Sequence, residues 1–448
     1  MTTTEDLLFE LQTNARSGDT VAIDVLRAQT GANSKTKPVK PTDDELAARY
    51  LAVHSDIAYG MGEWRRYQNG VWPVIEENEI RRDVTEILKA AKSEGIRPTD
   101  GLLSSVIRFV RDGVEVSKDK WDGNPDILVC KNGALHIPSG QLQPHSLHHY
   151  ATFRLNFDYD PQAEAPFWQY ALSSTIPDAK DFIQEFAGYC VTTDTSHEIA
   201  IWLVGPAGSG KSTVQEGLQS FMGERVTNLG LADIERSRFA LGDLRGKTLA
   251  MASEQPAIYM QASWLLNKII SGETITTERK FKDPISFRPM VKILWAMNEM
   301  PRVPDAGNGL FRRVKVIKFP ALEESKRDPD VKEAIKLEGA GILNWALKGL
   351  QRLRARGRFD IPACVKDATT DFQTNNDIPS LFVQECCLTG ADLKTQSQLL
   401  YDSYKEWCLK TGHKAMSSTT IAPEWDRLGF TKYMSNGKVY WKGVSIRE

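Results

Sequence analysis

The chain has 448 residues, of which 41% are hydrophobic and 25% are charged, proportions that are ordinary for a soluble globular protein. No run of 18 or more apolar residues occurs, and the start, Met-Thr-Thr-Thr-Glu-Asp, lacks the basic and apolar segments of a signal peptide. We therefore expect neither a membrane span nor a membrane partner. The formal net charge of −2 excludes a chain-wide nucleic-acid footprint, so any DNA contact must be local.

The six cysteines are scattered and form no C-x-x-C pair, and the seven histidines show no zinc-ligand spacing. This pattern predicts reduced thiols and no structural metal.

In chain order, residues 1–44 are predicted to form a short helix, with Leu7, Leu8 and Leu11 on one face, followed by a flexible linker rich in Pro, Lys and Thr. Residues 45–158 are predicted to form an α+β domain. Its turn signals are Asn-Gly at 69–70, between Trp64 and Trp72, Asn-Gly at 132–133 and Ser-Gly at 139–140.

An α/β core is predicted over residues 196–322, after a helical collar over 159–195 with a helical pattern from 166 to 192. Short apolar runs bounded by breakers favour the buried strands of a mostly parallel sheet. The four runs are Ile199–Val204, Thr248–Ala252, Val291–Met297 and Val314–Phe319. A helical lid or connector over 323–375 follows. It contains a helix ending in Arg352, Arg354, Arg356 and Arg358, an arginine group that we interpret as a solvated helix end.

The last predicted domain covers residues 376–448. Helical pattern over 379–411 and 417–428 precedes an alternating segment, 432–441, around Asn-Gly at 436–437. Helices followed by such a hairpin indicate a winged helix. Its second helix carries Arg427 beside Glu424 and Asp426, so DNA binding and docking of a subunit or partner remain equal alternatives.

The motif G-x-x-x-x-G-K-[ST], typical of phosphate-binding loops, lies between a predicted strand and a predicted helix. Backbone N–H groups of such a loop and the start of the helix attract phosphate, the lysine neutralises β/γ-phosphate charge, and the serine hydroxyl binds Mg²⁺. The sequence therefore predicts ATP and Mg²⁺ as cofactors. The candidate nucleotide-binding residues are Gly205, Pro206, Ala207, Gly208, Ser209, Gly210, Lys211, Ser212 and Thr213.

Polar residues at the ends of later apolar runs complete the candidate site. Glu254 follows one run and is a candidate water activator and metal ligand with Ser212, although the preceding position, often acidic, is Ser253. Asn298 follows another run and can orient the attacking water. Arg312 and Arg313 precede the last run, and either can stabilise phosphoryl charge, in cis or in trans.

This order of motifs, with Lys268 and Ser-Gly-Glu at 271–273 between Glu254 and Asn298, resembles a superfamily 3 AAA+ DNA helicase. The group meant is the one shared by phages, plasmids and poxvirus-type primase-helicases. The flanking regions also resemble it, so the resemblance covers about 400 residues. It implies a replicative helicase that unwinds duplex DNA as a hexameric ring translocating 3′→5′ on single-stranded DNA. It also implies ATP bound between subunits, with Lys211, Glu254, Asn298 and a trans Arg312 or Arg313 as catalytic residues.

The resemblance also implies a hairpin that contacts DNA, located between Glu254 and Asn298 in this sequence. The corresponding segment here has strands at 274–279 and 285–287 and a tip from Lys280 through Phe281 and Lys282 to Pro284. Lysine and aromatic side chains suit phosphate contact and base stacking. Lys268 could contact DNA or the nucleotide site. About 44 residues precede the second domain, too few for a primase, so a primase or polymerase would be a separate partner in the host cytoplasm.

Two other functions stay open. One is a replication initiator or regulator that binds DNA through the winged helix, with the ATPase serving assembly. The other is a small-molecule P-loop kinase, which the extra domains, Asn298 and the arginine pair disfavour.

Overall fold

The computed structural model describes residues 40–237, 239–255, 260, 263–279, 282–301, 303, 308–324 and 330–447. The chain divides into two compact units: one runs to Gly123 and includes His145–Thr152, and the other comprises Asn124–Pro144 and Phe153–Glu448. The predicted helix over residues 1–28 and most of the linker lie outside the described residues. Within the described part, no helix is both long and apolar enough to cross a bilayer.

Three helices and a small antiparallel sheet make up the first unit. The helices are α1 (Asp43–Val53), α2 (Glu77–Ala90) and α3 (Asp100–Gly113), and the strands are β1 (Ile57–Gly60), β2 (Glu63–Arg66) and β3 (Val74–Ile75). Apolar residues of α1–α3 and Trp64 form one core. The predicted turn at 69–70 is present, and it brings Gln68 opposite Val71 between β2 and β3.

The two compact units do not follow the predicted boundary at residue 158. Strands β4 (Ile127–Cys130), β5 (Gly133–His136) and β6 (Gln141–Gln143) form the expected turns but belong to the second unit. The physical reason is burial, since Leu128 and Leu135 join the same core cluster as Trp168.

A five-stranded parallel sheet lies at the centre of the second unit. Its strands are β7 (Ala200–Val204), β8 (Val226–Asn228), β9 (Leu249–Gln255), β12 (Lys292–Met297) and β13 (Val314–Lys318), in the spatial order β13-β7-β12-β9-β8. The four apolar runs therefore form the predicted parallel strands. Strand β8, with the sequence Val-Thr-Asn, is too short and too polar to have been identified.

Alternate residues of the strands of this sheet enter different cores, so the sheet and the helices on its two faces form a three-layer α/β structure. On one face, Leu203 and Leu294 pack with helices α4 (Pro166–Thr175), α5 (Lys180–Val191), α6 (Lys211–Met222), α10 (Asp330–Leu337) and α11 (Gly339–Arg356). On the other, Trp202 and Trp295 pack with α7 (Leu231–Arg236), α8 (Ser263–Ile270), α9 (Asn308–Arg313) and α12 (Ala363–Asn376).

Two helical predictions in this unit need correction. The pattern over 166–192 is two helices, because Pro177 starts a separate 3₁₀ turn between α4 and α5. The arginine group at the end of α11 is not simply solvated. Arg356 donates to both oxygens of Glu185 at 2.6 Å, and Glu185 is 1% exposed. A buried acid on α5 thus requires the cation on α11.

The C-terminal part has the order α13 (Ile378–Cys386), β14 (Cys387–Gln396), α14 (Ser397–Thr411), α15 (Ser418–Arg427), β15 (Thr431–Ser435) and β16 (Lys438–Ile446). The predicted hairpin around 436–437 is present as β15 and β16. The predicted helix over 379–411 is wrong, because β14 interrupts it by pairing with β16. Gly390 is unfavourable in a helix interior, and the mostly exposed residues between the buried Cys387 and Thr395 suit a strand at the edge of a sheet.

Candidate functional site at the ends of the parallel strands

The carboxyl ends of β7, β12 and β9 lie side by side, because these parallel strands are neighbours in that order. The segment 205–212, which we call the glycine loop, follows β7 and leads into α6. Asn298 follows β12 directly, and Glu254 is the penultimate residue of β9. The fold therefore brings three predicted site elements, far apart in sequence, to one edge of the sheet.

Close packing fixes the path of the glycine loop. A Cβ atom on Gly205 would lie 2.4 Å from the carbonyl oxygen of Phe319, and one on Gly210 would lie 2.6 Å from Cγ2 of Thr175. Gly210 also has a φ of 96°, which disfavours any side chain. The loop thus presents backbone, rather than side chains, at the N-terminus of the twelve-residue helix α6.

The amino group of Lys211 is enclosed by the loop. Its Nζ donates to the carbonyl oxygens of Gly205 at 2.6 Å and Pro206 at 2.8 Å, and to Oδ1 of Asn298 at 3.2 Å. The residue is only 7% exposed, and burial lowers the pKa of its ammonium, while the nearby negative charge of Glu254 raises it. A cation held by neutral carbonyl and amide oxygens in a polar loop fits an anionic ligand such as phosphate.

Two glutamines form hydrogen bonds to backbone groups near Glu254. Gln215 of α6 donates to the carbonyl oxygen of Ala252 at 3.0 Å, and Gln255 accepts from the backbone N–H of Leu231 at 2.6 Å. Glu254 itself is exposed, as are Ser253 and Ser212. The site therefore combines a fixed framework with an accessible carboxylate and an accessible hydroxyl, which are oxygen ligands suited to Mg²⁺. Sequence reasoning missed both glutamines, because neither a buried glutamine on a helix, Gln215, nor a half-buried one at a strand end, Gln255, carries a motif.

Arg312 and Arg313 lie at the opposite edge of the sheet. They precede Val314, which pairs with Ala200 at the start of β7, whereas the glycine loop follows the end of β7. At 3.2–3.4 Å of rise per residue, a five-residue strand separates these edges by roughly 15 Å. That span exceeds the reach of an arginine side chain, so neither residue meets the glycine loop of its own chain.

The two arginines have different surroundings. Arg313 forms an ion pair with Glu198 at 2.6 Å and donates to Oγ of Ser271 at 3.1 Å, and its side chain is 10% exposed. The Arg312 side chain is 64% exposed and approaches the same Glu198 oxygen at 3.2 Å. Arg313 is thus fixed inside its own chain, and Arg312 projects to solvent. Glu198 was not identified from the sequence, where it is an ordinary acid before a strand.

The predicted DNA-contacting hairpin is present as β10 (Ile275–Arg279) and β11 (Lys282–Phe287). Its predicted tip is too long, since β11 already begins at Lys282, which pairs with Arg279. Pro284 is compatible with a strand because either strand of an isolated two-stranded ribbon is an edge. Lys280 and Phe281 lie outside the described residues, and of Lys282 only the backbone is described.

Lys268 lies on α8, next to the arginine helix α9. Its amino group is 5.8 Å from the ring centroid of Trp264, a tryptophan that is 61% exposed. Lys268 therefore lies on a helix beside the arginine helix and outside the described strands of the hairpin.

Two family models match the chain. Residues 45–177 match the family model described as D5 N terminal like, and residues 203–313 match a family of unknown function, DUF5906. The second match begins just before the glycine loop and ends at Arg313, so it encloses the candidate site.

Two curated relatives are named as helicases. Putative helicase 121R of Invertebrate iridescent virus 3 is 24% identical over 379 residues, which cover 74% of this chain and 39% of that protein. Putative helicase L207/L206 of Acanthamoeba polyphaga mimivirus is 22% identical over 257 residues, covering 51% and 26% of the two chains. The chain thus spans about two fifths and one quarter of the length of these relatives.

Solved structures of the NrS-1 C terminal region share the fold. An A form apo structure has a TM-score of 0.52 at 14% identity and covers 92% of this chain and 100% of its own. A second A form apo structure, of residues 305–718, has a TM-score of 0.50 at 12% identity, with 90% and 100% covered. The likeness thus extends over nearly the whole chain, at the level of the fold.

Proposed function

We propose that this chain is an ATP-dependent DNA helicase of the superfamily 3 AAA+ type, acting in phage or viral replication. The observation that carries the proposal is the 3.2 Å contact between Nζ of Lys211 and Oδ1 of Asn298, made at the ends of adjacent strands and within reach of the Glu254 charge. The names of the two viral relatives and the D5-like match support the same class.

Each residue of the site has a role in this proposal. The glycine loop and the first N–H groups of α6 hold the β- and γ-phosphates, and Lys211 neutralises their charge. Asn298 orients the attacking water, and Glu254 accepts its proton. Mg²⁺, held by the Ser212 hydroxyl with Glu254 nearby, would neutralise phosphate charge. Burial of Lys211 strengthens these interactions, because its charge is less screened than it would be in water.

A charge-stabilising arginine must come from another subunit, since Arg312 and Arg313 face away from their own glycine loop. We assign this role to Arg312, because it is exposed, whereas Arg313 is committed to Glu198 and Ser271. A contact that joins one edge of the sheet to the opposite edge of the next copy is heterologous, and it forms a ring when the rotation between copies closes. The proposed assembly is a hexamer with ATP at each interface.

Single-stranded and forked DNA are the proposed nucleic-acid substrates. The hairpin of β10 and β11, with Lys280, Phe281 and Lys282, would contact the strand in the ring channel, with translocation 3′→5′. Lys268, adjacent to the arginine helix, is better placed for the subunit interface than for this hairpin. The C-terminal helices and hairpin follow the order of a winged helix. A separate primase or polymerase would complete the replication machinery.

The test is ATP hydrolysis by the purified chain, with and without single-stranded DNA, for the natural protein, Lys211→Ala and a matched surface control, Lys348→Ala. We expect DNA to stimulate hydrolysis by the natural protein and the control, and Lys211→Ala to lose at least a hundredfold. DNA-independent hydrolysis without strand separation would instead support the initiator alternative, in which ATP serves assembly. Phosphorylation of a metabolite by a monomer would support a kinase.

A further inference from the structure

One face of the C-terminal sheet gathers lysine and tyrosine side chains from all three strands. Lys394 of β14 pairs with Lys442 of β16, and Tyr440 of β16 pairs with Tyr433 of β15. Lys438 lies two residues before Tyr440 on the same strand, so these residues share one side of the sheet. We call this set, Lys394, Tyr433, Lys438, Tyr440 and Lys442, the lysine–tyrosine face.

The opposite side of the sheet is the one that packs on the helices. Trp441 and Thr395, whose positions alternate with those of the lysine–tyrosine face, are 1% and 6% exposed. The three lysines are exposed, and the two tyrosine rings stack with centroids 5.7 Å apart and planes at 26°. The lysine–tyrosine face is therefore an open surface with two ordered aromatic rings between cations.

Charge on this surface is unbalanced. Residues 428–447 contain three lysines and one arginine and no acidic residue, in a chain with a net charge of −2. The three strands contain one acidic residue, Asp392, in the irregular part of β14. Among the described residues, Lys394, Lys438 and Lys442 form no ion pair within 4.0 Å.

The neighbouring helix α15, the expected DNA-reading element, has no cation that is free of an acidic partner. Its single cation, Arg427, forms ion pairs with Glu424 at 2.6 Å and Asp377 at 2.7 Å. Cationic charge that is available to a polyanion thus lies on the sheet rather than on the helix.

We propose that the lysine–tyrosine face binds single-stranded nucleic acid, with phosphates on the lysines and a base against the tyrosine pair. Alternating aromatic and basic side chains are the chemistry of sequence-tolerant strand binding. The proposal rests on the proposed function, because a helicase generates the single strand that this surface would hold. It adds a contact outside the ATP-hydrolysing core.

Two variants of the full chain test it. Lys394→Gln/Lys438→Gln/Lys442→Gln removes three charges, and its matched control, Lys348→Gln/Lys366→Gln/Lys405→Gln, removes three exposed charges elsewhere. With oligo-dT as the probe, we expect the first variant to bind at least tenfold more weakly. The slope of log K against log salt concentration should become shallower by about 2, because each phosphate contact of a single strand contributes roughly 0.7 to it. Tyr433→Leu/Tyr440→Leu should weaken binding about tenfold with an unchanged salt slope.

DNA-free ATP hydrolysis should be the same in all variants, which shows that they are folded. Affinity of the lysine variant equal to that of its control would overturn the proposal, as would loss of duplex binding alone. If the natural chain binds no oligo-dT, the proposal also fails. Lys211-dependent ATP hydrolysis in the same preparation then shows whether the proposed function fails with it.

Discussion

Single alanine substitutions at Arg312 and Arg313 should have different effects, one on catalysis and the other on stability. Arg313→Ala removes a 2.6 Å ion pair and two hydrogen bonds from a side chain that is 10% exposed, and it leaves Ser271 and Glu198 without this partner. We expect a loss of about 3 kcal/mol in the free energy of unfolding. Arg312→Ala removes an exposed contact and should change stability by no more than about 0.5 kcal/mol.

For ATP hydrolysis we expect Arg312→Ala, and not Arg313→Ala, to have the direct effect. If Arg312 acts on the nucleotide of the next subunit, Arg312→Ala lowers kcat of ATP hydrolysis about a thousandfold while the melting temperature stays within about one degree. Thermal melts and steady-state ATPase assays on the two variants measure both quantities. Mixing Arg312→Ala with Lys211→Ala subunits should restore some activity, because mixed interfaces contain one intact site. No recovery at any ratio, or a fully active Arg312→Ala protein, would refute the assignment.

Three further predictions concern the core and the site. Asn298→Ala should lower kcat at least tenfold with little change in KM for ATP, and an equal loss in kcat and rise in KM would contradict the water-orienting role. Gly217→Ala places a Cβ 2.3 Å from the Trp168 ring, so urea unfolding should show a loss of about 1–3 kcal/mol; an unchanged midpoint contradicts this packing. Burial lowers the pKa of Lys292 to about 7. This pKa is lower than that of the same lysine in the unfolded chain. At pH values between the two, the unfolded chain binds more protons at this site than the folded chain does. The stability that the site contributes therefore rises with pH above 7. Relative to Lys292→Met, the natural protein should therefore be more stable at pH 8.5 than at pH 6.5 in urea unfolding, and a constant difference would contradict it.

The sequence predicted the strands that carry the candidate site, because each strand has a local signal. Apolar runs followed by a polar residue identified β7, β9 and β12 with the glycine loop, Glu254 and Asn298 at their ends. The 3.2 Å contact between Lys211 and Asn298 joins residues 87 positions apart, and the contact forms because the order of strands in the sheet brings them together. No local pattern could have supplied that order, since β12 inserts between β7 and β9.

The failures have a common physical cause, which is long-range pairing. Arg312 and Arg313 are equivalent in sequence, and the burial of Arg313 with its hydrogen bond to Ser271, 42 positions away, distinguishes them in the fold. Local propensity predicts a helix at β14, but pairing with β16, about 50 residues later, overrides that propensity. Strands β4–β6 join the second compact unit for the same reason, since the core that buries Leu128 is formed by later helices.

Strand separation of a forked DNA duplex by the purified chain is the most direct test of the helicase proposal. With ATP and Mg²⁺, the natural protein should release the labelled strand, and Lys211→Ala should release none. The same protein with a non-hydrolysable ATP analogue should bind the fork without opening it. Release that is equal with the analogue and with ATP, or no release by a protein whose ATP hydrolysis is intact, would contradict the account.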